Sequence, residues 1–218
     1  MNVTHATLHE RLAALDQQAW LARFRSRNEL RRLVDDMLRL APPGSAAEAK
    51  GHYHCAVWAW QANEREQSRT ARVRALSIFE QHGDIAGIAN CRDLEALAER
   101  LAGNLQHAAE LYKINRDLPE SARAAAEHCM TCSGEGAVLL ATGQHDACQR
   151  VWSIAVSLAQ RASNPGLEVS TLCNLGAWNI AVCNFEDGRQ LSQRAFDLAE
   201  QVFDLAHPEE LNSGWFNS

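Results

Sequence analysis

The chain has 218 residues, 46% of them hydrophobic, which is enough to bury a sizeable core in one domain or two small ones; a single domain is the expectation. A formal net charge of −6 and a pI near 5.8 leave no general basic footprint, so direct nucleic-acid binding is not expected. The sequence contains no run of about 18 uncharged apolar residues, and its start, MNVTHATLHERLAALDQQ, has neither the basic nor the apolar part of a secretory signal, so a cytoplasmic protein without membrane contact is expected.

In chain order, residues 1–45 read as one helix pair. Leu12, Leu15, Ala19 and Leu21 lie near an apolar stripe that includes Trp20. A second helix is expected from Asn28 as N-cap, carrying Leu30, Leu33, Val34, Met37, Leu38 and Leu40 at three- and four-residue steps. Ala41-Pro42-Pro43-Gly44-Ser45 stops it, because proline lacks the amide donor and restricts the residue before it.

From Ala46 a 40-residue period takes over, and four phrases overlay without insertion through residue 205. Each phrase reads as helix, turn, helix. The expected last core contact of the second helices is Ile78, Leu118, Leu158 and Leu198, with Leu38 one period earlier. The first helices repeat a small residue at Ala56, Ala96, Gly136 and Gly176, where a bulky side chain would hold paired helices apart. Their middles read Trp20, Trp60, Leu140 and Ile180, with Arg100 as the exception. The turns fall at Asn63, Gly103, Gly143 and Cys183; the first three are residue types that tolerate the left-handed conformation of a helix C-terminus, and Cys183 departs from that rule. His82-Gly83-Asp84, Asp117-Leu118-Pro119-Glu120 and Ser163-Asn164-Pro165-Gly166 read as links between phrases. Residues 206–218 are expected to be a tail or the start of a truncated next element. No stretch carries the period-two alternation of a strand, so about ten helices packed as antiparallel pairs are predicted.

Several clusters invite a chemical reading. Cys129-Met130-Thr131-Cys132 has redox or zinc spacing, but it sits inside a repeat helix with no second CxxC, and two core-facing thiols are the expectation. The seven cysteines are an odd number on apolar helical positions, which fits reduced thiols. His52-Tyr53-His54-Cys55 holds metal-ligand types, yet residues two apart on a helix diverge, so solvated or groove-lining histidines are expected. Trp20, Trp60 and Trp152 fall on the buried frame, whereas Trp58 and Trp178 fall off it and are expected nearer the surface. Arg23, Arg25, Arg27, Arg31, Arg32 and Arg39 read as a solvated basic face balancing Asp35 and Asp36, with a docking patch as the alternative. No nucleophile elbow, phosphate-cradling glycine loop or Ser/His/Asp order is visible, so no cofactor, metal or catalytic residue is assigned.

Gly103, Ala108, Tyr112 and Asn115, then Gly143, Cys148, Trp152 and Ala155, then Leu175-Gly176, Cys183, Phe185, Gly188, Ser192 and Ala195 give the chain a pattern that resembles the tetratricopeptide repeat (TPR). The period of 40 in place of the family's usual 34 resembles the longer-helix variant of bacterial regulatory proteins. The resemblance implies an all-α, right-handed superhelical stack, a TPR-like α-solenoid, whose first helices line a concave groove for a peptide or protein surface. The positions it turns inward are Lys50, Tyr53, Val57 and Trp60, then Asn90, Asp93, Leu97 and Arg100. Met130, Ser133, Ala137 and Leu140 follow, then Ser170, Cys173, Ala177 and Ile180, with Asn174 as a further polar donor. It implies a non-catalytic interaction and regulatory module. The alternative is a sensory or dimerisation region cut from a longer signalling protein, with a diguanylate cyclase or DNA-binding output domain. An exposed apolar end near Val202, Phe203 and Leu205 motivates that alternative and the homodimer it carries.

Overall fold

Ten α-helices and one short 3-10 turn account for nearly all of residues 7–202, which are the residues described by this computed structural model. The first four helices are α1 (Leu8–Ala22), α2 (Arg27–Leu40), α3 (Ala46–Gln61) and α4 (Arg65–His82). Then come α5 (Ile85–Leu101), α6 (Leu105–Arg116), the 3-10 turn Glu120–Ala122 and α7 (Ala125–Ala141). The last three are α8 (His145–Arg161), α9 (Pro165–Ala181) and α10 (Phe185–Val202). No strand occurs among the described residues, so the fold is an all-α array of helix pairs, as the periodicity predicts.

The turn inside each pair explains the period. Asn63, Gly103, Gly143 and Cys183 all have positive φ, at 63°, 88°, 73° and 64°. At each one the next amide reaches back five residues along the first helix: Glu64 N–H donates to Ala59 O (2.8 Å), Asn104 to Glu99 (2.9 Å), Gln144 to Leu139 (2.8 Å) and Asn184 to Asn179 (2.8 Å). This is the left-handed helix stop that satisfies orphan carbonyls. The same residues then accept the first bond of the following helix, as in Ser68 N–H to Glu64 O (2.9 Å) and Cys148 N–H to Gln144 O (2.9 Å). Helix reversal is therefore complete within three residues, and the second helices start at 65, 105, 145 and 185, each 40 after the last. Cys183 obeys the backbone rule that its residue type does not announce.

Entry into the first helices uses side chains instead. Thr7 and Glu10 form a capping box, Ser45 Oγ accepts from Glu48 N–H (3.1 Å), and Asn164 Oδ1 accepts from Leu167 N–H (3.1 Å) ahead of Pro165. The N-cap of α2 is Ser26, whose hydroxyl accepts from Glu29 N–H (3.2 Å); Asn28, expected in that role, already lies inside the helix. The expected core series is only partly buried. Ile78 and Leu158 are in the core, Leu38 and Leu198 are partly exposed, and Leu118 falls outside α6 because that helix stops at Arg116.

The chain divides into two compact units, one ending at Cys91 and the other starting at Arg92, a division inside α5. In the first unit α1 packs on α2 and α3, α2 on α3, and α3 on α4. Gly87, in the first turn of α5, lies under the Phe79 ring: a Cβ there would meet Phe79 carbon at 2.3 Å. In the second unit α6 packs on α7, α7 on α8 and α9, α8 on α9, and α9 on α10. Ala96, Ala108, Tyr112 and Val138 form one core cluster there; Cys148, Trp152, Leu175 and Trp178 form another. Trp178 is thus interior, contrary to its expected place near the surface, because it continues the α9 face that meets Trp152.

Small residues let the pairs close. A Cβ on Gly136 would lie 2.3 Å from Trp152 Nε1, whose N–H donates to Ser133 O at 3.0 Å. Gly136→Ala gains about 1 kcal/mol of helix propensity but must displace the indole, an overpacking cost of about 1–3 kcal/mol to which the lost hydrogen bond adds about 1. A net loss of about 1–3 kcal/mol is expected in chemical denaturation. Cys183→Gly should act in the opposite direction. It relieves left-handed strain at an exposed side chain and should gain about 0.5–1 kcal/mol by the same measurement.

Candidate functional site

In the first unit, α1, α2 and α3 line an open cavity of about 500 Å³. Its walls are apolar, from Leu8, Leu12, Ala13, Met37, Pro42 and Ala47, and Asp16 and Lys50 bring charge to it. That size and make-up, apolar with a few convergent polar groups, is what a ligand site requires.

Asp16 is the hinge of the local electrostatics. One carboxylate oxygen accepts from Lys50 Nζ (2.6 Å) and the other from His54 Nε2 (2.9 Å). His54 Nδ1 faces Arg23 Nη2 (3.4 Å), and Arg23 Nη1 donates to Tyr53 OH (3.4 Å). The Arg23 guanidinium also lies 3.6 Å from the centroid of the Trp20 ring. A chain of polar contacts thus runs from half-exposed Lys50 to fully buried Arg23 and His54. Since Arg23 can only donate, the hydrogen-bond pattern assigns the imidazole proton to Nε2, where it points at Asp16. Burial pushes the Asp16 carboxyl up, but the bonds and charges of His54 and Lys50 outweigh it and bring the group down to about 2. Burial holds His54 below its ordinary value, helped by the Arg23 charge and opposed by Asp16. At neutral pH the site therefore presents an ionised carboxylate and a neutral imidazole, both already engaged, which suits fixed recognition better than proton transfer.

The helix register produces this arrangement. Leu12, Asp16, Ala19 and Arg23 follow one stripe of α1, and Lys50, Tyr53 and His54 share a face of α3. The two stripes meet, so Asp16 is driven to engage Lys50 and His54 across the contact. Two expectations are corrected here. His54 is a fully buried partner of Asp16 instead of a solvated histidine, and Arg23 is buried instead of belonging to a solvated basic face. Arg31 and Arg39 do behave as surface charges, paired with Asp35 (3.1 Å) and Asp36 (2.5 Å). His52 turns the other way, toward Glu48 Oε1 (3.4 Å).

The remaining predicted positions fall into three groups. Tyr53, Trp60, Asn90 and Ser170 are buried, which leaves little of their side chains for a ligand. Asp93 is taken up by a network of the second unit: Oδ2 accepts from Arg123 Nη2 (2.7 Å), and Oδ1 accepts from Asn115 Nδ2 (2.7 Å) and Thr131 Oγ1 (3.0 Å). Arg92 Nη1 adds a bond to Asn115 Oδ1 (2.7 Å). Lys50, Arg100, Met130, Ser133, Leu140 and Asn174 keep part of their surface. Of these, Lys50 lies at the first-unit cavity.

The CxxC thiols are interior. Burial raises both, Cys132 to about 12, and Cys129 Sγ donates to Ala155 O (3.2 Å). Among the described residues no group of three or more His, Cys, Asp or Glu is placed to hold a metal ion, and no helix is long and apolar enough to cross a membrane. The apolar end named near Val202, Phe203 and Leu205 lies outside the side chains described.

The polar chain predicts a pH dependence. Unfolded, His54 takes a proton near its ordinary value of 6.5, whereas folded it resists, so the unfolded chain binds more protons as pH falls and stability drops from pH 6.5 downward. Asp16 adds a second loss between 3.8 and about 2. Urea midpoints between pH 7.5 and 5 should fall in the native chain with a contribution approaching about 1.4 kcal/mol per pH unit for one proton. His54→Gln should be less stable at pH 7.5 and should lack that part of the slope.

No protein-family model matches the chain. No curated protein matches it either. Among solved structures it is similar to a chain of Podosopora anserina described as the Q17M crystal structure of a putative kinesin light chain with nearly identical TPR-like repeats; identity is 13%, the match covers 91% of this chain and 99% of that one, and the TM-score is 0.48.

Proposed function

We propose that the chain is a non-catalytic, TPR-like interaction module that binds a peptide or a protein segment, with the cavity between α1, α2 and α3 as its seat. The observation that carries this reading is the cavity's composition: apolar walls from three helices and a charge pair, Asp16 and Lys50, immobilised by buried partners. Such a surface rewards an apolar side chain inserted between the helices and a polar group placed against the pair. The 40-residue register, the cytoplasmic setting and the bacterial regulatory context belong to the same proposal. So do the partly exposed positions Met130, Ser133, Leu140 and Asn174 of the second unit as further contacts.

A second reading makes the array a dimerisation and relay region joined to an output domain. It draws support from α10, where Phe185 and Phe196, three turns apart on one face, are 63% and 54% exposed. Light scattering separates the two readings: a concentration-independent dimer favours relay and a monomer favours the binder.

Selection from a displayed peptide library, followed by calorimetry, tests the cavity. Enriched peptides should carry an apolar anchor, and Ala13→Trp, which fills the cavity from a solvent-facing position, should weaken them by about tenfold or more. A library that yields no binder, or peptides that bind Ala13→Trp as well as the native chain, would remove the proposal.

A further inference from the structure

The second unit holds a cavity of its own, of about 430 Å³, between the α6–α7 connection, α7 and α8. Its floor is aliphatic, from Leu118, Val151, Ile154 and Leu158. Along α8 the residues Ser153, Ile154, Ser157, Leu158 and Arg161 follow one stripe at three- and four-residue steps, so a single helix face carries floor, hydroxyls and cation.

One charged side chain at this cavity stands outside any ion pair among the described residues. Asp93, buried behind Thr131, is matched by Arg123 at 2.7 Å. Glu135 is matched by Arg116, which lines the cavity and also lies 3.7 Å from Asp117. Arg161 has no carboxylate partner among the described residues, and no carboxylate lines the cavity. One uncompensated guanidinium thus stands beside an aliphatic floor, whereas that of Arg116, lining the same space, is engaged by Glu135 and Asp117. A neutral apolar ligand would leave that charge unused, and a cation would be repelled.

We propose that this cavity binds a small amphiphilic anion, its carboxylate or phosphate head on Arg161 and its aliphatic tail over Val151, Ile154 and Leu158. The site is separate from the seat assigned to the peptide in the first unit and stands or falls without it. The guanidinium supplies forked donors to either head group, and the floor supplies burial for a short chain.

Calorimetry on the purified chain with octanoate, octyl phosphate and octanol, all below their aggregation limits, provides the test. Octanoate or octyl phosphate should bind at one site per chain at least about tenfold tighter than octanol, the tighter of the two naming the head group. Arg161→Gln should cost about tenfold in that affinity. Arg161 is the better variant because Arg116 also holds Glu135, and its loss would strand a buried carboxylate. Ile154→Ser, at a side chain 52% exposed, should weaken the anions without unfolding the chain. Arg189→Gln, on α10 and paired with Glu186, should change nothing. Equal binding of octanol and octanoate, no binding by either anion, or unchanged affinity in Arg161→Gln would overturn the proposal.

Discussion

The left-handed residue that ends the first helix of each pair is the constraint on which the rest of the architecture depends. It reverses the chain in three residues, and the amide after it caps the old helix while its carbonyl opens the new one. Because the same bonds form at Asn63, Gly103, Gly143 and Cys183, the second helices begin at fixed intervals. Close packing then follows from small residues opposite large ones, as with Gly136 under Trp152 and Gly134 under Tyr112.

Each unit also keeps a polar cluster inside. In the first, Asp16, His54 and Arg23 tie α1 to α3; in the second, Asp93, Arg123, Asn115 and Thr131 tie α5, α6 and the α6–α7 connection to α7. Apolar stripes alone allow helices to slide by a turn at modest cost. A buried ion pair does not, since a slipped register leaves a charge unpaired in the interior. These clusters therefore fix which turn of one helix faces which turn of the next.

Much of this was legible in the sequence. The four pairs, their turns and the interior place of Cys129 and Cys132 follow from periodicity and spacing, because backbone turns and core volumes leave local signatures. The polar clusters leave only a trace in the sequence: Asp16 shares a stripe of α1 with Leu12 and Ala19, and Arg23, at the helix end, continues it. A charge on an apolar stripe marks a buried pair, but its partner lies on another helix, and only the fold brings Asp16 within 2.9 Å of His54, 38 positions away. Tyr53 and Trp60, inward positions in the pattern the sequence resembles, are buried, because a repeat pattern tells which residues share a face and not whether another helix covers it.

The arrangement around Asp16 also limits how the chain can diverge. Neutralising that carboxylate strands Lys50 on one side and the imidazole proton of His54 on the other, while an apolar residue at 54 removes one of the contacts of buried Arg23. Single replacements among these positions are therefore costly, whereas concerted ones that exchange the whole set for well-packed aliphatics need not be. Descendants of this sequence should inherit the cluster intact or lose it as a block, so that linked replacement at positions 16, 23, 50 and 54 records one event in their ancestry.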